Sequence, residues 1–587
     1  MHTRLGMLLA TSLYIYAPQA AGQQTNTPDA GSLLQQQQQN MLKKLDRLPQ
    51  PSAAQPELLT QQATQGQKVT LRGVRFSGAE GLATEAELQA AVQSAVGQDI
   101  GFAGLEQLAD TVTRTLKEKG WLLARAYLPQ QDLTEGRLEI AVLQGLIEAD
   151  ASGPGIDINA GPTLRVSRDR IVLTLSNALN LKSERALHAA DLERGILLIN
   201  DTPGITATSS LERGKTPGTT RLALDVLEQP LLTGSAWVDN YGNRYTGSVR
   251  GNAMLNISSP AGWGDQISLF YTQSEGVNFG RVGYSLPVGY AGLRANVGAS
   301  SMTYGIGQEQ ANQKSRGSGD ISSAGLSYPV IRSRNGNLNL LANYDHKLLK
   351  DETAGVNTRN KELQNLTLTL GGDRTDSWMQ GGISNLSVIY TSGNLDLSRN
   401  ATDLTNDAAS AKTNGAFSKW NASASRLQKI NDTLTLFAGA SMQRAGGNLD
   451  TSEKFMLGGA SGVRAYPGGE GSGDNGWLTN LELRYELQAL RTWGVGDFQL
   501  VGFYDVGGID MQHSPWGVPA NNPTQTNSYQ LSGAGIGLNL THPGSYNVRM
   551  AWSQPVGDNP GRNPLNNTDS DGEANKDRFW ISATVNF

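Results

Sequence analysis

The residues best suited to chemistry are few and scattered. Five histidines, His2, His188, His346, His513 and His542, show no HExxH or paired spacing, and the 587-residue chain has no cysteine. Metal-assisted hydrolysis, thiol nucleophiles and disulfides find no residues to act through, so no catalytic residue, metal site or cofactor is expected. Three short matches to ligand-binding loops fail on context. Gly471-Ser472-Gly473-Asp474-Asn475-Gly476 spells GxGxxG, but no βαβ unit surrounds it to aim a helix N-terminus at a phosphate. Gly214-Lys215-Thr216 has Ser209 where a P-loop needs its earlier glycine, and it joins two expected strands, so no nucleotide is expected. Asn567-Thr568-Asp569-Ser570-Asp571-Gly572 opens like a calcium loop, yet its twelfth position is Arg578 where a Glu belongs, which leaves a surface turn.

One pairing survives this sorting. Gly458–Gly469 places Val463, Arg464, Ala465 and Tyr466 in a glycine-rich loop, and further along stands Phe503-Tyr504-Asp505-Val506-Gly507. If Phe498, Leu500, Gly502 and Tyr504 mark one face of a strand, then Gln499, Val501, Phe503 and Asp505 mark the other. Arg464 on a folded-back loop could then meet the Asp505 carboxylate in a charge-assisted, bidentate pair.

Such a strand needs a wall around it. Beyond Pro230 the pattern is period-two alternation broken by Gly, Asn, Asp and Ser clusters, with no convincing amphipathic helix. Leu481, Leu483, Tyr485 and Leu487 alternate with Asn480, Glu482, Arg484 and Glu486; Phe579, Ile581, Ala583, Val585 and Phe587 alternate with Trp580, Ser582, Thr584 and Asn586. Apolar residues facing lipid and polar ones lining a wet lumen would make a transmembrane β-barrel, the one spanning structure open to a chain without a later apolar run of helix length. Long polar segments at Gln308–Asp320, Asn400–Asn414, Gln512–Gln530 and Asp558–Asp577 read as loops, and Pro287-Val288-Gly289-Tyr290 as a tight turn. Glycine, 69 of 587 residues, suits kinked β-structure, and 48 Lys and Arg against 53 Asp and Glu, net −5, argue against nucleic acid as partner.

The N-terminal part reads differently. A basic start, an apolar core over Leu5–Ala17 and small residues at Ala20-Ala21-Gly22 make residues 1–22 a signal peptide, and hence an exported chain. Within 23–67 an amphipathic helix is expected over Gly31–Leu48, with Leu34, Met41, Leu42, Leu45 and Leu48 on one face and Pro49 and Pro51 ending it. Residues 68–147 read as β-α-α-β-β: a strand Val69–Phe76, a helix opened by the capping box Thr84-Glu85-Ala86-Glu87, a helix burying Leu105, Leu108, Ala109, Val112 and Leu116, and strands Leu122–Leu128 and Arg137–Leu143. Residues 148–228 repeat that order, with helices near Arg168–Leu179 and Ala189–Asn200 and strands Ile205–Leu211 and Thr220–Leu227.

Val463-Arg464-Ala465-Tyr466 resembles the VRGY/F loop motif, and Phe503-Tyr504-Asp505-Val506-Gly507 the F-x-D-x-G strand motif, of the Omp85 superfamily. The terminal Phe587 resembles the sorting signal of outer-membrane barrels. Taken whole, the chain resembles the two-partner-secretion branch, transporters of haemagglutinins, haemolysins and contact-dependent-inhibition toxins. The resemblance implies two POTRA domains (68–147 and 148–228) in the periplasm of a Gram-negative bacterium and a sixteen-strand barrel over 229–587. It further implies a plug helix in the pore and an Arg464–Asp505 pair inside the barrel. Sixteen strands would share the remainder at about 22 residues each, room for a span of 9–11 and a connection. The implied partners are a large secreted exoprotein, outer-membrane lipid and the barrel-assembly machinery during biogenesis. A barrel-assembly insertase is the rival reading, and Ala465, where the motif has Gly, leaves the loop tip's backbone open.

Overall fold

The computed structural model describes residues 28–41, 68–150, 153–181, 186–216, 218–516, 526–563 and 566–587. The expected signal peptide (1–22) lies outside them, as do Leu42, Leu45 and Leu48 of the expected helix. The helix itself is α1 (Ala30–Met41), and it buries Ala30, Leu33, Leu34 and Gln37. That face, spaced i, i+3, i+4 and i+7, adds Leu33 and Gln37 to the expected Leu34.

The first α/β unit comprises β1 (Lys68–Thr70), β2 (Gly73–Ser77), α2 (Glu85–Val92), β3 (Asp99–Gly101), α3 (Phe102–Glu118), β4 (Arg125–Tyr127) and β5 (Arg137–Leu143). Thr84 accepts from Glu87 N, and Glu87 accepts from Thr84 N at 2.8 Å, so a reciprocal capping box starts α2. Helix α3 buries Leu105, Leu108, Ala109, Val112 and Leu116. Two expected strands are shorter. Val69–Phe76 breaks where Arg72 N donates to Gly136 O at 2.7 Å, and β1 pairs with β3 in a separate ribbon. Leu122 and Leu123 leave the expected strand Leu122–Leu128 because they pack on the core of the next unit.

The second unit comprises β6 (Leu146–Ile147), β7 (Ile156–Ala160), α4 (Arg168–Ala178), α5 (Ala189–Asn200), β8 (Ile205–Arg213) and β9 (Thr219–Glu228). Strand β9 pairs antiparallel with β8 and parallel with β7 and β6. Strand β8 is therefore a sheet edge, nine residues long, exposed from Thr208 to Arg213. At the β8–β9 turn the N–H groups of Lys215 and Thr216 donate to Glu148 at 2.9 and 3.1 Å, so the resemblance to a phosphate loop ends in a carboxylate from this chain. Arg221 also donates to Glu148, at 2.9 Å, and that hydrogen bond holds the carboxyl below its usual range.

The rest closes into a barrel of sixteen antiparallel strands. They are β10 (Leu232–Asp239), β11 (Arg250–Ser258), β12 (Gln266–Gln273), β13 (Val277–Pro287), β14 (Arg294–Gly305), β15 (Ser315–Arg332), β16 (Gly336–Thr353), β17 (Val356–Asp376), β18 (Gly382–Asp396), β19 (Gly415–Lys429), β20 (Leu434–Ala445), β21 (Asn475–Glu486), β22 (Asp497–Asp510), β23 (Ser528–His542), β24 (Tyr546–Pro555) and β25 (Arg578–Asn586). Alternation sets the two faces: Leu481, Leu483 and Tyr485 are 43–49% exposed, while Asn480, Glu482 and Arg484 are 4–7% exposed inside. Exposed aromatics mark both rims, Trp263, Tyr290 and Trp378 at the short turns and Tyr271, Trp477, Trp552 and Phe579 toward the loops. The barrel closes between β10 and β25 over Ser235–Asp239 and Ser582–Asn586, and Phe587 extends the seam by exchanging backbone bonds with Gly234 at 2.8 and 3.0 Å.

Three loop expectations change: residues 528–530 of the expected loop Gln512–Gln530 open β23, while 517–525 lie outside the described residues. Residues 315–320 of the expected loop Gln308–Asp320 belong to β15, which starts at Ser315 on the loop side of the barrel. Within Asn400–Asn414 lies α6 (Ala401–Ala408), where no helix is expected; Asn400 caps it, accepting from Thr402 N and Asp403 N at 3.1 Å. At two turns and with Leu404 its one large apolar residue, it carries almost no periodicity to read.

The second α/β unit sits against the short turns of the barrel. Arg170 donates to Gly289 O and Arg194 to Pro329 O, each at 2.8 Å, and Asp201 receives Arg332 bidentately at 2.7 Å. This places β8 near one mouth of the barrel.

Candidate functional site

The loop between β20 and β21 folds back into the barrel and delivers Val463, Arg464, Ala465 and Tyr466, all buried, to its interior. Glycine makes the fold-back geometry possible. A Cβ on Gly462 would collide with Leu457 O, and Gly459 holds φ at 115°. Ala465 adopts no left-handed φ, so the open question over its backbone resolves without strain; its methyl lies against Gly533, where a side chain would clash.

Arg464 meets Asp505. Its Nε donates to Asp505 Oδ2 and its Nη2 to Oδ1, both at 2.8 Å, and its backbone N–H donates to Oδ2 at 3.1 Å. The guanidinium lies on the Phe503 ring, 3.5 Å from its centroid, a stacked cation–π geometry. Gly507 leaves room for Leu457 of the loop, since a Cβ there would lie 2.5 Å from Leu457 Cδ2. Tyr466 fills an apolar cluster with Val463, Leu457, Leu478 and Leu531. The structure thus brings Val463, Arg464, Tyr466, Phe503, Asp505 and Gly507 together, and it places Phe587 apart, at the seam.

Further residues complete the site. Glu482 accepts from Arg464 Nη1 at 2.8 Å and from Arg484 Nη2 at 2.7 Å, and Asn480 donates to Asp505 Oδ1 at 2.7 Å. Two guanidinium groups and two carboxylates therefore form a charge-balanced, hydrogen-bonded network, the condition under which buried charge is tolerated. Ser553 and Trp580 each donate to Arg464 O at 2.7 Å, tying the loop to β24 and β25 near the seam. Asn480, Glu482 and Arg484 carry the inward parity of β21 in their alternation, as Trp580 carries that of β25, but nothing in the sequence ties Ser553 or Trp580 to Arg464.

Helix α1 occupies the same lumen. Ala30 N donates to Asp351 at 3.0 Å; Asp29 accepts from Arg359 at 2.5 Å and from Thr451 Oγ1 at 2.7 Å; Arg250 donates to Gln37 at 3.2 Å. Gly31 lets the helix lie on the loop's base, since a Cβ there would be 2.8 Å from Ser452 N. Lys361 stands between the two elements, 2.7 Å from Asp450 of the loop and 3.8 Å from Asp29. Glu453 pins the same loop base to Lys347 at 2.7 Å and Lys419 at 2.8 Å. Toward the turn side a cavity of about 980 Å³ remains, lined by Gln37, Arg250, Arg484 and Trp580 among others.

The calcium-like turn is satisfied by cations of its own chain. Arg562 and Arg578 contact Asp569 at 2.8 and 2.9 Å, and Arg578 contacts Asp571 at 2.6 Å. GxGxxG forms the loop's return strand, Ser472 and Gly473 pairing with Met456 and Phe455. Among the described residues no group of His, Cys, Asp or Glu is placed to hold a metal ion.

Comparison with known proteins agrees with this geometry. Residues 69–145 match the POTRA domain, ShlB-type, and 218–540, over half the chain, match the haemolysin secretion/activation protein family ShlB/FhaC/HecB. The heme/hemopexin transporter protein HuxB of Haemophilus influenzae is 29% identical across 99% of this chain and 97% of its own length. The outer membrane transporter CdiB of Escherichia coli is 26% identical over 88% of this chain and 85% of its own. The solved structure of CdiB from Escherichia coli superposes with a TM-score of 0.68 at 23% identity, covering 94% of this chain and 95% of that one. With its barrel in the outer membrane and its POTRA domains in the periplasm, the chain belongs to the ShlB/FhaC/HecB family of two-partner-secretion transporters.

Proposed function

We propose that the chain captures one large, unfolded exoprotein in the periplasm and conducts it through the barrel, with α1 and the 446–474 loop closing the path at rest. The observation that carries this reading is that α1 and the loop together fill the lumen and share one footing on its wall, ionic at Arg359, Lys361, Lys347 and Lys419 and apolar at Leu33, Leu34 and Tyr466, so a chain that passes the barrel must displace both. Strand β8 offers unpaired backbone groups at the periplasmic mouth, and adding an extended segment there needs little side-chain specificity. No nucleotide takes part; folding of the exoprotein outside gives the direction. Phe587 at the seam serves recognition by the barrel-assembly machinery.

The test is co-expression with a tagged N-terminal fragment of a large candidate exoprotein. The fragment should reach the medium only when this chain is present, and its equal appearance without the chain refutes the reading.

Plugging has its own measurement. Deleting 24–65, which removes α1, should raise single-channel conductance in planar bilayers while secretion continues. Asp29→Ala should act in the same direction more weakly, since it removes the contacts to Arg359 and Thr451 and leaves Leu33 and Leu34 packed. Unchanged conductance in the deletion would show that the helix does not block the pore.

A further inference from the structure

On its periplasmic half across β17 to β20 the lipid-facing wall is indented. There the outward positions fall from leucine to small residues, Gly372 on β17, Ala424 on β19 and Ala438 and Ala440 on β20, and a groove of about 620 Å³ opens between Leu370 and Leu386. Its floor is apolar, and an acyl chain is the material that meets this surface in a bilayer. Its periplasmic end is cationic. Arg426 is committed to this chain, reaching Asp376 at 2.8 and 3.0 Å and Ser384 at 2.7 Å, with its guanidinium 5.3 Å from the centre of the Trp378 ring. Arg374 is exposed and, among the described residues, takes part in no hydrogen bond or ion pair; Asp376, on which its charge acts, is already held by Arg426. Exposed Trp378, on the adjoining turn, marks the depth of the headgroups.

We propose that this groove is a binding site for one glycerophospholipid of the periplasmic leaflet, with an acyl chain over Ala438 and Ala440 and the phosphodiester on Arg374. Charge complementarity selects the occupant: an unpaired cation at headgroup depth, at the end of an apolar slot, fits an anionic phosphate joined to an acyl chain. The site lies on the strands next to the 446–474 loop, on the opposite face of the wall, and its existence does not depend on the transport reading. The result expected from native mass spectrometry of the full chain, titrated with phosphatidylglycerol in mild detergent, is one lipid retained more tightly than the rest. Arg374→Ala should weaken it about fivefold, the worth of one basic residue at a lipid surface. Ala440→Leu, which fills the slot, should remove it, and Ala253→Leu on the far wall should change nothing. Inorganic phosphate in excess should fail to displace it. Equal retention in wild type and Arg374→Ala overturns the proposal, as does displacement by inorganic phosphate; if Ala440→Leu does not fold, Arg374→Ala decides alone.

Discussion

Asp505→Ala is expected to stop most secretion while the barrel still shows heat-modifiable migration. The substitution leaves the Arg464 guanidinium inside the barrel without its bidentate partner and frees Asn480, and breaking one side of a buried pair costs about 3–5 kcal/mol. That is a shift of about a hundredfold or more in the loop's docked population, yet small beside the ladder of sixteen closed strands. Arg464→Ala should be at least as severe, because it also strips Glu482 of a partner. The double mutant should be little worse than either single, since each single already breaks the pair; additive losses at equal barrel abundance would show that the two residues act separately. Exchanging the charges, Arg464→Asp with Asp505→Arg, should not restore activity. The new carboxylate would face Glu482, which accepts from Arg464 Nη1 at 2.8 Å in the native chain.

Removing either α/β unit, 68–147 or 148–228, should abolish secretion while the barrel still inserts. Without 148–228 the contacts of Arg170, Arg194 and Asp201 to the barrel turns vanish and the remaining domain hangs free of the pore. Without 68–147 the damage spreads, because Leu122, Leu123 and Ile147 pack on the core of the second domain. The exoprotein fragment should remain periplasmic in both cases, read by fractionation alongside barrel migration. Normal secretion from a barrel-only chain would place capture elsewhere.

Which parts of this molecule are legible in sequence follows from how far each contact reaches along the chain. The alternation at Asn480–Glu486 is local, and it marks a two-faced wall; charges on the buried face turn a soluble sheet into a lipid-facing one. Capping at Thr84 and the apolar stripe of α3 are local too. Arg464 and Asp505 are legible as a pair because parity puts Asp505 inside and glycines let the loop return. Ser553 and Trp580, 89 and 116 residues from Arg464, are joined to it only by strand register and barrel closure, which no short window encodes. The strand Leu122–Leu128 shows the reverse case: its apolar residues are strand-like, but a neighbouring core claims Leu122 and Leu123.

The shared footing of α1 and the loop makes each a ligand of the other. Asp29 bonds both the wall, through Arg359, and the loop, through Thr451, while Lys361 answers to carboxylates on both. Linkage of this kind is reciprocal: by whatever factor the docked loop strengthens the helix's hold, the docked helix strengthens the loop's. A polypeptide that displaces the helix would therefore loosen the loop as well, so a single binding event weakens both closures of the pore.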